Sequence, residues 1–150
     1  MDNKNKKRVS LEELYPAIQE SLDTGGTVEL PITGTSMLPL LVQGRDTVLI
    51  KKAHTVKKGD IIFYRRDDGH FVLHRIVGKN EKGYILCGDN QWKKEYGILQ
   101  RHIIAVVTTV NRKGKEIKTD DFGYMLYSKL WMLVLPIRKY ILYISRKVFK

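Results

Sequence analysis

Ser36, His74, Asp89 and Glu95 are the side chains whose chemistry could together hydrolyse an acyl bond. A serine hydroxyl is a poor nucleophile at neutral pH until a neighbouring base takes its proton. An imidazole, with an ordinary pKa of about 6.5, suits that transfer. A carboxylate that holds the other ring nitrogen fixes the useful tautomer. Ser36 stands in Thr33-Gly34-Thr35-Ser36-Met37-Leu38-Pro39. Gly34 allows close backbone approach and Pro39 stiffens the turn, which suits a presented nucleophile and a plain loop alike. His74 lies in Val72-Leu73-His74-Arg75-Ile76-Val77, where strand alternation puts Val72, His74 and Ile76 on one face and Leu73, Arg75 and Val77 on the other. The imidazole therefore falls at a core edge, as a general base or as a satisfied structural histidine. Asp89 sits in a Gly88-Asp89-Asn90 turn and Glu95 follows six residues later. Either carboxylate could orient the imidazole, and either could be structural. His54, His70 and His102 lie at turns and strand ends without metal-ligand spacing, so neither a metal nor a cofactor is called for. Cys87, the single cysteine, ends the apolar run Tyr84-Ile85-Leu86-Cys87 and reads as a small buried hydrophobe.

These residues need a scaffold, and the chain divides into three stretches. Residues 1–26 comprise a basic tail and a helix opened by Ser10 with Glu13 three positions on, carrying Leu11, Leu14, Tyr15, Ile18 and Leu22 at helical spacing up to Gly25-Gly26. Residues 27–111 carry short apolar or alternating runs: Val28–Ile32, Thr47–Lys51, Asp60–Tyr64, Phe71–Val77, Tyr84–Cys87 and Ile103–Val110. Turn residues separate them, Asp68-Gly69 being a good hairpin signal. Short strands without intervening helices predict a mainly β domain, antiparallel and partly barrel-like. Residues 112–150 return to helical spacing, with Leu126, Leu130, Leu133, Ile137, Ile141, Ile144 and Val148 among Lys129, Arg138, Lys139, Arg146, Lys147 and Lys150. This pattern predicts a basic amphipathic helix broken near Pro136.

The net charge is +11, and residues 112–150 hold most of the excess, with 10 Lys/Arg against 3 Asp/Glu, whereas residues 1–111 hold 17 against 13. Such an excess favours an anionic partner. No zinc-ligand spacing, helix-turn-helix or aromatic-basic strand motif points to nucleic acid, so a membrane surface met by the C-terminal helix is the expected partner. No uninterrupted apolar run marks a signal peptide, and none reaches the roughly 18 residues of a spanning helix. The expected location is peripheral on a membrane, or cytoplasmic.

Taken in order, Gly34-Thr35-Ser36-Met37-Leu38-Pro39, Gly59-Asp60-Ile61-Ile62, His74-Arg75-Ile76 and Gly88-Asp89-Asn90 resemble the signal peptidase I/LexA superfamily of serine peptidases. Gly44-Arg45-Asp46-Thr47-Val48 adds a fifth segment, one residue longer than the family's Gly-Asp-x-Val, and the likeness spans roughly residues 28–110. Bacterial-type signal peptidases and LexA-type repressors use a lysine base. His74-Arg75 at that place is similar to the endoplasmic-reticulum-type signal peptidases, whose base is histidine. The resemblance implies that Ser36 attacks the scissile carbonyl, that His74 takes its proton, and that Asp89 or Glu95 orients the imidazole. It implies an oxyanion hole from the Ser36 N–H, with Thr33 or Thr35 in place of a serine hydroxyl at Gly34. Met37 and Leu38 would help line a shallow pocket for the small residue before the cut. The implied function is processing of a precursor or signal peptide near a membrane. The alternatives are a LexA-like self-cleaving module, for which Gly25-Gly26 is the available small-residue pair, and a non-catalytic accessory protein of the same fold.

Overall fold

The β-branched and aromatic runs pair into one antiparallel sheet in a computed structural model that describes residues 10–148. The basic tail at 1–9 and the last two residues lie outside the described residues. Helix α1 (Leu11–Asp23) starts at Ser10, whose Oγ accepts from the Glu13 N–H at 3.2 Å. It stops at Gly25, which adopts a φ of +83° that suits glycine, while Gly26 N donates back to Ser21 O at 2.9 Å. Eight strands follow: β1 (Thr27–Pro31), β2 (Thr47–Lys51), β3 (Ile61–Arg65), β4 (Phe71–Asn80), β5 (Gly83–Cys87), β6 (Glu95–Ile98), β7 (Ile103–Arg112) and β8 (Lys115–Lys118).

The strand order is β1-β2-β7-β3-β4-β5-β6, with β8 added to the C-terminal part of β7, so the sheet is not closed. Register shifts at Leu49/Ile50, Phe63/Tyr64, Ile76/Gly78 and Tyr84/Leu86 bend it sharply. Each face then covers its own core. One contains Ile18, Leu22, Leu30, Val48, Ile50 and Phe63, joined by Met37, Leu40 and Leu41 from the loop after β1. The other contains Ile62, Tyr64, Ile76, Leu86 and Ile98. Successive residues of β3 alternate between the two cores, which is why it reads as an unbroken apolar run. β6 and β8 were not anticipated from the sequence; both are short, and three of the four residues of β8 are charged.

The C-terminal segment breaks at Pro136, as its spacing predicts, but its two halves differ in character. It is two helices, α2 (Phe122–Leu133) and α3 (Arg138–Val148), joined by a 3-10 turn at Leu135–Ile137 that contains Pro136. Only α3 is strongly amphipathic; α2 is apolar around its whole circumference and carries one lysine. Of α2 only Tyr124 and Ser128 are buried, leaving Phe122, Leu126, Leu130 and Leu133 exposed along one side. Arg138 is also not on the solvent-facing basic side; it is 1% exposed. No described helix is long and apolar enough to cross a membrane.

Candidate active site

The loop after β1 is fixed at both ends by the backbone. Ile32 N donates to Asp46 O at 3.2 Å and Leu41 N to Met37 O at 3.0 Å, with Met37, Leu40 and Leu41 sunk into the core. Gly34 takes a φ of +76°, and its N–H donates to Gln43 Oε1 at 2.8 Å. Ser36 rides this loop, half-buried, against the turn that follows β5. Its carbonyl accepts from Asn90 N at 2.9 Å, and Asn90 Nδ2 donates to Thr35 O at 3.1 Å. A Cβ on Gly88 would stand 2.6 Å from that same Ser36 carbonyl. The serine loop and the Gly88-Asp89-Asn90 turn are therefore one packed unit. Among the described residues the Ser36 N–H and Oγ make no hydrogen bond, so both remain available to a bound acyl group. Beside Ser36 lies a cavity of about 140 Å³, walled by Leu30, Ile32, Met37, Phe63 and Val72.

His74, 5% exposed, occupies the middle of β4 opposite Ile62. Its Nδ1 lies 3.3 Å from the Tyr64 hydroxyl, which itself donates to Glu95 Oε1 at 2.6 Å. Arg66 Nε donates to the other carboxylate oxygen, Oε2, at 2.8 Å. This chain assigns the tautomer. The Tyr64 hydrogen is committed to Glu95, so Nδ1 must carry a hydrogen to bond the phenol oxygen, and Nε2 keeps its lone pair. Burial drives the His74 pKa down to about 4, with Glu95 pulling the other way, so the ring is neutral at pH 7. The Tyr64 hydroxyl is pushed far up by burial and then by Glu95, and keeps its proton. A neutral imidazole with a defined acceptor nitrogen is what a general base requires. A cleft of about 470 Å³ opens over His74 between Arg66, Asn90, Trp92, Lys94, Glu95 and Arg146.

The structure separates the two carboxylates that the sequence left as alternatives. Glu95 reaches His74 through Tyr64. Asp89 instead faces Arg75, on the opposite side of β4 from His74, receiving Nε at 2.9 Å on Oδ1 and Nη2 at 2.8 Å on Oδ2. Both side chains of this pair are fully buried. Tyr127 and Ser128 from α2 complete its shell: the Tyr127 hydroxyl donates to Asp89 Oδ2 at 3.0 Å, and Arg75 Nη1 donates to Ser128 Oγ at 2.6 Å. Asp89 makes no hydrogen bond to His74 among the described residues; it is the internal counter-ion of Arg75. Trp131 Nε1 donates to Asp89 O at 2.7 Å, and Arg138 Nη1 to Gly88 O at 3.3 Å, so α2 and α3 both grip this turn.

Among the remaining expected residues, Met37 lines the cavity at Ser36, whereas Leu38 lies outside its lining. Thr35 is exposed and holds the loop through its carbonyl, not its hydroxyl. Ser36 and His74 are not hydrogen-bonded to each other among the described residues, and each lines a cavity of its own. Val72, on the His74 face of β4, lines the Ser36 cavity, and Asn90 lines the His74 cleft while holding the Ser36 loop. Tyr64, Arg66 and Asn90 were missed as functional candidates. A buried tyrosine one strand from a histidine does carry a signal, because its hydroxyl needs a partner.

Among comparisons with known proteins, the model of the family described as Peptidase S24-like matches residues 4–108. No curated protein and no solved structure matches the chain.

Proposed function

The chain belongs to the Peptidase S24-like family, within the LexA/signal-peptidase superfamily, and on that premise we propose that it is a serine endopeptidase of signal-peptidase type. Ser36 is the nucleophile and His74 its general base. His74 Nε2 takes the hydroxyl proton as Oγ bonds to the scissile carbonyl carbon, and the Ser36 N–H donates to the oxyanion. The same proton then passes to the leaving amine, and water releases the acyl group by the reverse sequence. Catalytic hydrogen bonds commonly tighten only when substrate closes on the pair. The observation that carries this reading is the Glu95–Tyr64–His74 chain, which leaves the acceptor nitrogen free on a neutral ring. The cavity beside Ser36, about 140 Å³ and walled in part by Leu30, Ile32, Met37 and Phe63, suits a small side chain before the cut.

The precursor is met at a membrane surface in this reading. α2 is apolar all round yet buries a single edge, which suits a helix lying partly in an apolar medium. Lys129, Lys139, Arg146 and Lys147 supply the charge that draws such a surface to anionic lipid. The self-cleaving alternative is disfavoured by Gly25-Gly26, whose amides close the end of α1 and do not lie extended for attack.

Digestion of a peptide library in mild detergent, read by mass spectrometry, tests the proposal. Wild type should cut after small residues, while Ser36→Ala and His74→Ala, folded by circular dichroism, should not. Cleavage surviving in Ser36→Ala would refute the mechanism. Silence from all three folded proteins would favour the accessory reading.

A further inference from the structure

A cleft larger than those at Ser36 and His74 lies elsewhere in the fold. It lies between the sheet and the C-terminal helices, with a volume of about 1110 Å³. Its apolar lining comes from Val77 of β4, buried Val107 of β7, and Met132 and Leu135 of the helical segment, with exposed Met125 at its edge. Methionines are pliable lining, able to shape themselves around a flexible chain. Its mouth carries Lys57, Lys58, Lys94, Lys129 and Lys139 against two carboxylates, Asp60 and Asp120. Asp60 is already occupied, accepting from Lys57 Nζ at 3.0 Å and from the Lys57 amide. Lys58, Lys94, Lys129 and Lys139 form no ion pair among the described residues.

An apolar slot with an unpaired cationic rim is complementary to a long apolar tail ending in a negative charge. We propose that this cleft binds a long-chain fatty-acid anion, its tail between Val77, Val107 and Met132 and its carboxylate among the rim lysines. A second copy of this chain fits less well, since two +11 chains would bring their basic helices together. Trp92 stands in the wall of this cleft and also lines the cleft over His74, so it reports on one and borders the other. The inference goes beyond the peptidase reading and does not depend on it.

The test uses hexadecanoic acid brominated along its tail, below its micelle concentration, with the full chain and tryptophan fluorescence as readout. Bromine quenches an indole it touches, so saturable quenching is expected in wild type and should be largely lost in Trp92→Phe, which leaves Trp131 as the other tryptophan. Reversing one rim charge with Lys129→Glu should weaken apparent binding by about tenfold, the order expected for one exposed charge. Val77→Phe, which fills the slot, should abolish it, and Lys58→Glu gives a second surface variant that does not touch the core. Hexadecyltrimethylammonium, with the same tail and the opposite charge, should not compete. Competition by that cation, quenching unchanged in all three cleft variants, or concentration-dependent dimerisation that the acid does not reverse would each overturn the proposal. Sedimentation with phosphatidylglycerol vesicles separates the two ideas. Vesicle binding without quenching by the acid keeps the membrane reading and removes the cleft ligand; quenching without vesicle binding does the reverse.

Discussion

Replacing Asp89 by asparagine is the sharpest perturbation this architecture offers. The substitution keeps the volume and removes the charge that neutralises Arg75. Arg75 is 0% exposed, and its other partners, Gly59 O at 2.9 Å and Ser128 Oγ at 2.6 Å, are neutral. Removing one member of a buried pair strands the other charge in a poorly solvating interior, at a cost of about 3–5 kcal/mol. Set against a domain stability of about 5–15 kcal/mol, that is a large fraction. For a chain of this size each 1 kcal/mol moves Tm by about 2–4 °C, so a fall of roughly 6–20 °C is expected. Urea and thermal unfolding of Asp89→Asn, Arg75→Met and the double variant complete a cycle. The double variant should recover much of the loss, because no unpaired charge remains. The activity of the folded fraction provides the discriminating readout. As a counter-ion Asp89 acts on His74 only through its charge, so the acid limb of turnover should move slightly down in Asp89→Asn while kcat on the plateau is kept. A cost below about 1 kcal/mol would refute the buried-pair argument. A stable Asp89→Asn whose plateau kcat falls as far as that of Glu95→Gln would restore Asp89 as the acid that orients His74.

Three further outcomes follow from the same geometry. His74 is held near pKa 4 in the fold against 6.5 outside it, so the unfolded chain takes up the proton first as pH falls. Its contribution is nil above pH 6.5 and becomes destabilising between about 6.5 and 4, reaching about 3 kcal/mol; His74→Phe should flatten that part of a stability–pH curve. Glu95→Gln and Tyr64→Phe should each lower kcat by about tenfold to a hundredfold with little change in KM. Glu95→Gln should also move the acid limb of kcat/KM further down, since Glu95 is what raises the His74 pKa, and an upward move would count against the relay. Gly88→Ala places a methyl 2.6 Å from the Ser36 carbonyl, so it should cost about 1–3 kcal/mol and reduce turnover by displacing the nucleophile loop; an unaffected variant would show that loop to be looser than described.

The sequence carried the strand runs well where period and composition agreed. Thr47–Lys51 and Phe71 onward appear as read, and Asp68-Gly69 does turn β3 into β4, with Gly69 at a φ of +93°. β6 was hidden because Glu95-Tyr96-Gly97-Ile98 has neither alternation nor a continuous apolar run; only its pairing with β5 makes it a strand. β8 was hidden by its charges, although Lys113-Gly114, both at positive φ, is a tight hairpin turn in retrospect. Alternation placed His74 and Arg75 on opposite faces, which is how they lie. It could not say which carboxylate serves which, because Glu95 and Asp89 arrive from different ends of a long excursion after β5. Nor could spacing reveal that Arg138, written among the surface cations, turns inward to carbonyls of the Gly88–Gln91 turn.

That inward arginine has a consequence for what counts as the smallest working unit. The family match ends at residue 108, inside β7 and before α2 and α3 begin, so neither C-terminal helix falls within it. Yet Trp131, Tyr127, Ser128 and Arg138 roof the turn whose Asn90 secures the nucleophile loop. A chain cut at the family boundary would open an internal ion pair to water and unclasp the serine at once. The smallest unit that keeps the Ser36 loop fixed therefore runs through Arg138, and the helices serve as the outer wall of that loop's support.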